Sequence, residues 1–291
     1  MNALVLVNKP IGIRSTNCVA VVRKYFDGLK TGHAGTLDST ASGLLVLLIG
    51  NATRFSEYVM SLPKVYRTVI QLGFETDTYD YSGEIVSMRP YEHIDGRTID
   101  DALWEFSGYR LQKPPAISAV KIEGTAAYKL ARSGQEVKTT ARPVFFRRVR
   151  RLSGVIDGMF ELEVSCGRGT YIRTLAHDLG ERLGCGAHGK SLQRISVGNF
   201  SLEDANNIDA DNFRTVSLSE LAENFTRIYV DYRDTKSFIN GMSILLRQAK
   251  RVDRGLSVMK DTICVEGDSF LGFGTYAGYD YLRPVVVVPK C

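Results

Sequence analysis

Asp38 lies in a setting that favours chemistry. It belongs to residues 30–43, which are rich in Gly, Ser, Thr and Ala and run directly into the apolar stretch 44–49. Small neighbours allow a bulky substrate to approach the backbone, and a loop anchored on a core strand can hold a carboxylate in place. An isolated loop aspartate is more commonly a turn or capping residue, so this setting alone leaves both interpretations open.

Positive charge is concentrated in one segment of the chain. Residues 110–151 contain eleven Lys and Arg against two acidic residues, a net charge of +9, although the whole chain carries only +5. A surface that binds a polyanion needs such a concentration, because each neutralised phosphate releases counterions. Basic residues here alternate with aromatic and strand-forming ones, which favours nucleic acid over a merely solvated basic face.

The remaining composition argues against several other classes of protein. Hydrophobic residues make up 44% and charged residues 24% of the 291 residues, an ordinary globular balance. No apolar run approaches the roughly 20 residues that span a bilayer, and the apolar N-terminal segment lacks the basic leader of a signal peptide. The five cysteines are scattered and lie at no metal-ligand spacing to a histidine, which indicates buried free thiols and no metal site. Gly167-Arg-Gly169 is not followed by a Walker lysine, so no nucleotide cofactor is expected.

Apolar periodicity predicts the elements that position these groups. Strands are predicted from alternating or continuous apolar residues at 3–7, 44–49, 65–74, 144–152 and 159–166. Ser15 is predicted to cap a helix, and residues 98–101 resemble a capping box that opens another. Residues 125–132 and 170–183 are predicted as further helices. Mixed elements, with strands often in sequence, predict an α+β fold.

Five stretches of the sequence together form a recognisable pattern. In chain order they are Val7-Asn-Lys-Pro-Ile-Gly-Ile-Arg-Ser15, His33-Ala-Gly-Thr-Leu-Asp-Ser-Thr-Ala-Ser-Gly-Leu-Leu45, Lys64-Val-Tyr-Arg67, Pro114-Pro-Ala-Ile-Ser-Ala-Val-Lys121 and Cys166-Gly-Arg-Gly-Thr-Tyr-Ile-Arg-Thr-Leu175. This pattern resembles the bacterial-type tRNA pseudouridine-55 synthases, which isomerise the uridine at position 55 of the TΨC loop. Five ordered matches are far more specific than one short motif. The sequence departs from the family at Ser39, where proline is common, but this change removes no reacting group.

The resemblance implies catalytic roles for three residues. Asp38 matches the nucleophilic carboxylate, and Arg173 matches the arginine that pairs with it. Tyr66 matches the tyrosine that stacks on the target base, where its phenol could also remove the C5 proton. Without the resemblance, Arg173 would be interpreted as a helix-surface arginine and Tyr66 as a core tyrosine.

The resemblance and the charge pattern also indicate residues that bind the substrate RNA. His33 is expected to hold the rearranged loop as a stacking or wedge residue. Lys9 and Pro10 are expected to support the cleft, and Lys64 to contact a phosphate. The other expected RNA-binding residues are basic or aromatic: Lys121, Tyr128, Arg132, Arg147, Arg148, Arg150, Arg151 and Tyr171.

The resemblance further implies an architecture and a partner. The expected fold is the α+β pseudouridine synthase fold, with a central mixed, largely antiparallel sheet flanked by helices and a small C-terminal PUA-like β-barrel. We expect a catalytic domain over residues 1–228, with an RNA-binding insert at about 64–142, and an RNA-binding domain over residues 229–291. The expected partner is the T-arm of tRNA, bound by a cytoplasmic monomer that needs no metal, cofactor, membrane or protein partner.

Three other functions are compatible with parts of the sequence. A non-catalytic RNA-binding or tRNA-folding factor on the same scaffold explains the basic segment but leaves Asp38 and Arg173 without a task. An Asp-dependent hydrolase would need a second acid–base group or a metal cluster, and neither is apparent near Asp38. The third is an enzyme within a guide-RNA complex, against which the bacterial-type insert and the short tail favour a stand-alone enzyme.

Overall fold

Two compact units make up the protein. The computed structural model describes residues 1–115, 121–122, 125–126, 139–246, 249, 251–253, 255–256 and 262–290. One unit contains Met1–Pro63 with Ile195–Cys291, and the other contains Lys64–Arg194. Both contain helices and strands, so the α+β prediction is confirmed. These two units do not correspond to the domains expected from the sequence. The boundary between a catalytic domain ending at residue 228 and an RNA-binding domain beginning at residue 229 stays a prediction.

The first unit is built on a pair of buried antiparallel strands. β1 (Ala3–Lys9) pairs with β3 (Ser42–Ile49) along its whole length. Shorter strands extend this pair: β2 (Thr31–His33) beside β3, and β14 (Asn206–Asn207) and β15 (Thr215–Val216) beside β1. Strand β13 (Phe200–Ser201) pairs instead with Ser196 and Val197. Apolar side chains cover both faces of β1 and β3, as expected for strands buried on both sides.

The two faces of the β1–β3 pair pack against different elements. Helix α1 (Ser15–Tyr25) contributes Cys18 and Val22 to the cluster on one face. The other face packs against a 3-10 turn (Gly50–Phe55), helix α2 (Ser56–Ser61) and α5 (Leu218–Ala222). The loop that carries Asp38 therefore leaves and re-enters a rigid part of this unit.

The first unit also contains a second sheet of six strands. Their order is β17 (Ile244–Leu245), β21 (Tyr281–Pro289), β20 (Phe270–Tyr276), β19 (Thr262–Glu266), β16 (Arg227–Tyr229) and β18 (Arg251–Asp253). Helix α6 (Tyr232–Ile239) packs against this sheet through Phe238. The sheet curls into a half-barrel, which is the small C-terminal β structure that the sequence predicts.

The second unit is built on an antiparallel sheet of long strands. Its order is β4 (Lys64–Leu72), β11 (Met159–Cys166), β10 (Arg142–Arg151) and β7 (Gly108–Gln112), and β12 (Ala187–Val197) pairs with β4. Two hairpins accompany it, β5 (Phe74–Thr76) with β6 (Ile85–Met88) and β8 (Lys121–Ile122) with β9 (Thr125–Ala126). Helices α3 (Gly96–Trp104) and α4 (Ile172–Leu183) contact β10 and β4, respectively.

Burial alternates along these strands and defines two faces of the sheet. Tyr66 and Thr68 on β4 are buried, whereas Val65 is half-buried and Arg67 is exposed. Tyr66 lies opposite Val164 of β11, which is also buried. Side chains that share a face alternate with a period of two. We call the face that carries Tyr66 the inner face and the opposite one the outer face.

Three local predictions are corrected by the structure. Ser15 is the first residue of α1 and does not cap it, because its hydroxyl is hydrogen-bonded elsewhere. Helix α3 begins one turn earlier than the predicted capping box, with Asp95 accepting a hydrogen bond from the Thr98 amide. Thr125 and Ala126 form strand β9 and not the start of a helix, and the rest of the helix predicted at 125–132 lies outside the described residues. The five predicted strands and the helix ending at Gly184, which has φ of 76°, are confirmed.

The four described cysteines are buried and free, as predicted: Cys18, Cys166, Cys185 and Cys264. Over the described ranges, every helix is too short or too polar to cross a membrane.

Candidate active site

Asp38 is presented to solvent by a loop that is fixed immediately before it. The Ser15 hydroxyl donates to the Leu37 carbonyl and accepts from the Leu37 amide, each at 2.9 Å. Ser15 and Leu37 are both buried, whereas Asp38 is exposed. Both backbone groups of Leu37 are thus held by one side chain 22 positions away. Its buried side chain anchors the loop and leaves the Asp38 carboxylate accessible.

The loop is also fixed immediately after Asp38. The Gly12 amide donates to the Ser39 carbonyl at 2.8 Å, and the Ala41 amide donates to the Asp38 carbonyl at 3.1 Å. Gly12 has φ of 91°, a backbone conformation that favours glycine. The residues on both sides of Asp38 are therefore restrained. Because the loop is already ordered, less conformational entropy is lost when a substrate binds.

Lys9 organises the turn that contains Gly12. Its ammonium donates to the carbonyls of Pro10 and Ile13, both at 2.9 Å, and the side chain is fully buried. A buried charge is tolerated when such hydrogen bonds replace water. Pro10 itself is exposed, and the expected supporting role of Lys9 and Pro10 stays a prediction.

His33 lies where the loop departs from β2. It is opposite Leu47 of β3, and the next residue, Ala34, donates its amide to the Val46 carbonyl at 2.9 Å. The His33 side chain is half-buried. In the first unit, Lys9 and His33 both lie on strands that pair with β3. Pro10 and Asp38 lie on the two segments that the Gly12–Ser39 hydrogen bond joins. The role of His33 in RNA binding stays a prediction.

Tyr66 and Lys64 share the inner face of β4 in the second unit, and both are buried. Desolvation, followed by repulsion from Arg194, lowers the pKa of Lys64 to about 7. Burial raises the pKa of the neighbouring Cys166 thiol to about 11. Lys64 is therefore close to half-protonated at neutral pH, unlike an ordinary surface lysine. Its expected phosphate contact stays a prediction.

Arg173 is a buried arginine in the first turn of α4, not a surface one. Its Nη1 lies 3.6 Å from Oδ2 of Asp80, which is also buried. The other carboxylate oxygen of Asp80 accepts from Thr78 Oγ1 at 3.0 Å and from the Ser82 amide at 3.0 Å. Asp80 is thus oriented by its own turn and presents one oxygen to Arg173. The predicted pairing of Arg173 with Asp38 stays a prediction.

Asp80 and Gln112 contribute to this region but were not predicted from the sequence. Asp80 lies in Thr76-Asp-Thr-Tyr-Asp-Tyr-Ser82, where alternating hydroxyl and acidic residues were the only available signal. The Gln112 side-chain amide donates to the Tyr171 carbonyl at 3.0 Å and accepts from its amide at 2.8 Å. This pair fixes the backbone one residue before α4, and hence the start of the turn that carries Arg173.

The expected RNA-binding arginines fall into two groups. Arg151 lies 2.7 Å from Asp100, and Arg150 lies 3.1 Å from Glu163. Arg147 and Arg148 are exposed, and neither has an ion-pair partner within the described part of the chain. Tyr128 and Arg132 lie outside the described residues, and only the backbone of Lys121 is described.

Each unit contributes a different kind of side chain to the candidate site. In the first unit, Asp38 is an exposed carboxylate on a restrained loop, the group that covalent chemistry needs. In the second unit, Tyr66 is a buried aromatic side chain on a strand. Among the described residues, no group of three His, Cys, Asp or Glu side chains could hold a metal ion. Asp38 belongs to the first unit, whereas Tyr66 and Arg173 belong to the second.

Two protein-family models match consecutive parts of the chain. Residues 23–172 match the model described as "TruB family pseudouridylate synthase (N terminal domain)". Residues 173–236 match "tRNA pseudouridylate synthase B C-terminal domain". Together the two matches include Asp38, Tyr66 and Arg173.

Curated relatives and a solved structure are similar over most of their length. The tRNA pseudouridine synthase B of Geobacter sulfurreducens is 37% identical over 269 residues, which cover 90% of this chain and 84% of that protein. That of Dehalococcoides mccartyi strain 195 is 39% identical over 256 residues, covering 84% and 85%. A chain in the crystal structure of a Cbf5-Nop10-Gar1 complex superposes with a TM-score of 0.73 at 20% identity, covering 99% of this chain and 85% of that one. At that identity the superposition is evidence of the fold alone.

Proposed function

The chain belongs to the TruB family of pseudouridylate synthases, and from this premise we propose that it converts uridine 55 in the TΨC loop of tRNA to pseudouridine. Relatives named for tRNA pseudouridine synthesis, similar over most of both chains, support the reaction and the RNA class. The pseudouridine synthase fold expected from the sequence is confirmed by the same family membership and by the superposed structure.

The reaction is an isomerisation that needs no net oxidant or group donor. The N1–C1′ bond of the uridine breaks, the base rotates and a C5–C1′ bond forms. The proton lost from C5 is balanced by a proton gained at N1. Asp38 supports the bond exchange as a carboxylate, by attack at C1′ or C6 or as a base towards the ribose.

Tyr66 and Arg173 support the flipped state and the charge of the site. A nucleotide that leaves its stack loses a few kcal/mol, of which an aromatic ring returns about 1–3 kcal/mol. The position of Tyr66 on the inner face of strand β4 supports this assignment. We assign to the Arg173 guanidinium the role of favouring the ionised form of the Asp38 carboxylate. Its planar fork would also hold that carboxylate in a fixed orientation.

One observation favours this enzyme over a non-catalytic RNA-binding factor. The exposed carboxylate of Asp38 is bracketed by Leu37 and Ser39, whose backbone groups are both hydrogen-bonded to the α1 side of the loop. A reacting carboxylate needs its neighbours held in place in this way, so the restraint supports a catalytic role for Asp38.

The proposed partner is the T-arm of tRNA, bound by a cytoplasmic monomer. The basic segment supports an RNA partner. A single T-arm fits one copy of the chain, so neither a second copy nor another protein is needed for the proposed reaction.

Tritium release from a tRNA transcript labelled at uridine C5 tests the proposal. The wild-type protein should release tritium from uridine 55 and from no transcript in which that position is cytidine. Asp38→Asn should release none while its affinity for tRNA stays near wild type. Asp211→Asn, a change of another exposed aspartate in the same unit, serves as the matched control. Turnover by Asp38→Asn would overturn the nucleophile assignment.

A further inference from the structure

The outer face of the second unit displays large apolar side chains at the edge of the sheet. Tyr109 and Leu111 of β7 are 82% and 69% exposed. They lie opposite Phe145 and Pro143 of β10, respectively. Residues directly opposite on antiparallel strands share a face and touch. We call the side chains of Tyr109, Leu111, Pro143 and Phe145 the β7–β10 face.

The intervening residues confirm which way this face points. Gln112 and Phe146 are buried on the inner side, and the Arg110 guanidinium lies 4.0 Å from the centre of the Phe106 ring. Tyr109 therefore points away from the face that carries Tyr66. Its ring centre lies 4.8 Å from that of Phe145, with the two planes inclined at 45°. The pair forms an aromatic ledge that is open to solvent.

Two arginines adjoin the ledge. The pairing of β10 with β11 shifts by one residue between Phe146 and Arg148, so Arg147 is an extra residue in a β-bulge. Arg148 lies opposite Ser165, an outer-face residue. Both arginines are exposed and lack an ion-pair partner in the described ranges, in contrast to Arg150 and Arg151.

The chemistry of this surface favours RNA over a protein partner. Neither β7 nor β10 contains an acidic residue, and β10 alone contains five arginines. Exposed aromatic rings next to uncommitted arginines are the arrangement that binds unpaired nucleotides, with bases stacked on rings and phosphates on guanidinium groups. Bases in a duplex cannot offer their faces in this way, so the ligand must be unpaired.

We propose that the β7–β10 face is a second RNA contact, at which an unpaired nucleotide other than the target uridine stacks on Tyr109 while Arg147 and Arg148 bind its phosphates. This inference rests on the proposed function, since it takes tRNA as the ligand. The target uridine is assigned to Tyr66 on the inner face. Because β7 is the edge strand of the described sheet, one RNA can reach both faces by passing around it.

Binding to a tRNA transcript with cytidine at position 55 tests the inference without turnover. Tyr109→Ala should raise the dissociation constant about fivefold to 150-fold, the range for a lost base–aromatic stack. Tyr109→Phe keeps the ring and should bind like wild type. Trp104→Ala removes an equally exposed aromatic ring from α3 in the same unit and should also bind like wild type. The double variant Arg147→Gln/Arg148→Gln should reduce the slope of log affinity against log salt by about 1.5.

Three results would overturn the inference. They are an unchanged dissociation constant for Tyr109→Ala, an equal loss in Tyr109→Phe, and unchanged RNA binding together with altered sedimentation of the protein alone. The last result would assign the face to a second copy of the chain. Turnover of normal tRNA by the wild-type protein separates this inference from the proposed function. Normal turnover with wild-type binding by Tyr109→Ala rejects only the β7–β10 contact, whereas binding without turnover rejects only the proposed reaction.

Discussion

Ser15→Ala tests how the loop positions Asp38. The substitution removes one hydroxyl that serves both backbone groups of the buried Leu37. A buried polar group left without a partner costs about 1–3 kcal/mol, so two such groups should cost about 2–6 kcal/mol if the loop keeps its place. If the loop moves instead, water can hydrogen-bond to the Leu37 amide and carbonyl. Stability is then largely kept, but the Asp38 carboxylate is displaced.

Stability and activity measured together separate the two outcomes. A loop that keeps its place lowers the free energy of unfolding and leaves kcat near wild type, whereas a loop that moves lowers kcat about 10-fold to 100-fold, the usual effect of moving a reacting group by about 1 Å. The dissociation constant for tRNA should stay near wild type, because Ser15 is buried and contacts no RNA directly. Urea unfolding and single-turnover tritium release, performed on the same preparation, measure the two quantities.

Ser39→Ala is the matched control for this experiment. It removes a hydroxyl from the same loop but keeps the carbonyl that accepts from Gly12. Its stability and kcat should stay near wild type. A Ser15→Ala protein with wild-type stability and wild-type kcat would refute the reasoning that this hydroxyl holds the loop.

Three further predictions concern the second unit. The pKa of Lys64 is lowered from 10.5 to about 7 in the folded protein, so its charge destabilises the fold fully below pH 7 and progressively less as the pH rises towards 10.5. Lys64→Met should therefore stabilise the protein by up to about 5 kcal/mol at pH 6 and far less at pH 10, and a pH-independent difference in urea unfolding would contradict this. Arg173→Lys should lower kcat about 100-fold with little change in tRNA affinity, because a point charge cannot replace the planar fork; a near-normal single-turnover rate would show that the fork is dispensable. Gly180→Ala should destabilise the protein by about 2–3 kcal/mol in thermal or urea unfolding, because a Cβ there would lie 2.1 Å from the Ala187 backbone nitrogen; wild-type stability would mean that α4 and β12 can separate.

Much of the local structure could be predicted because it depends on neighbouring residues. The alternation of β11 and the apolar run of β3 identify strands directly, and Gly184 marks the end of α4. The family resemblance predicts the roles of Asp38, Tyr66 and Arg173. Those predictions rest on motif position and not on any physical property of the three side chains.

The remaining features depend on partners that are distant in sequence. Ser15 has the pattern of a helix cap, but the buried backbone of Leu37 competes more strongly for its hydroxyl. Asp80 and Arg173 are separated along the chain by six strands and one helix of the described residues, so no spacing links them. A lysine is ordinarily a surface residue with a pKa near 10.5. Burial lowers the pKa of Lys64 to about 7, and the sequence carries no signal for that burial.

The bulge in β10 has a consequence for chain length. Before the bulge, the buried side chains of β10 have even numbers, as in Val144 and Phe146, whereas after it Val149 lies opposite the buried Val164. Removing Arg147 alone would join the two halves into one regular strand and leave every other side chain on its present face. Strand β10 can therefore lose Arg147 without moving any buried side chain to the solvent face. A single deletion within β4 or β11 would move the side chains on one side of it to the opposite face.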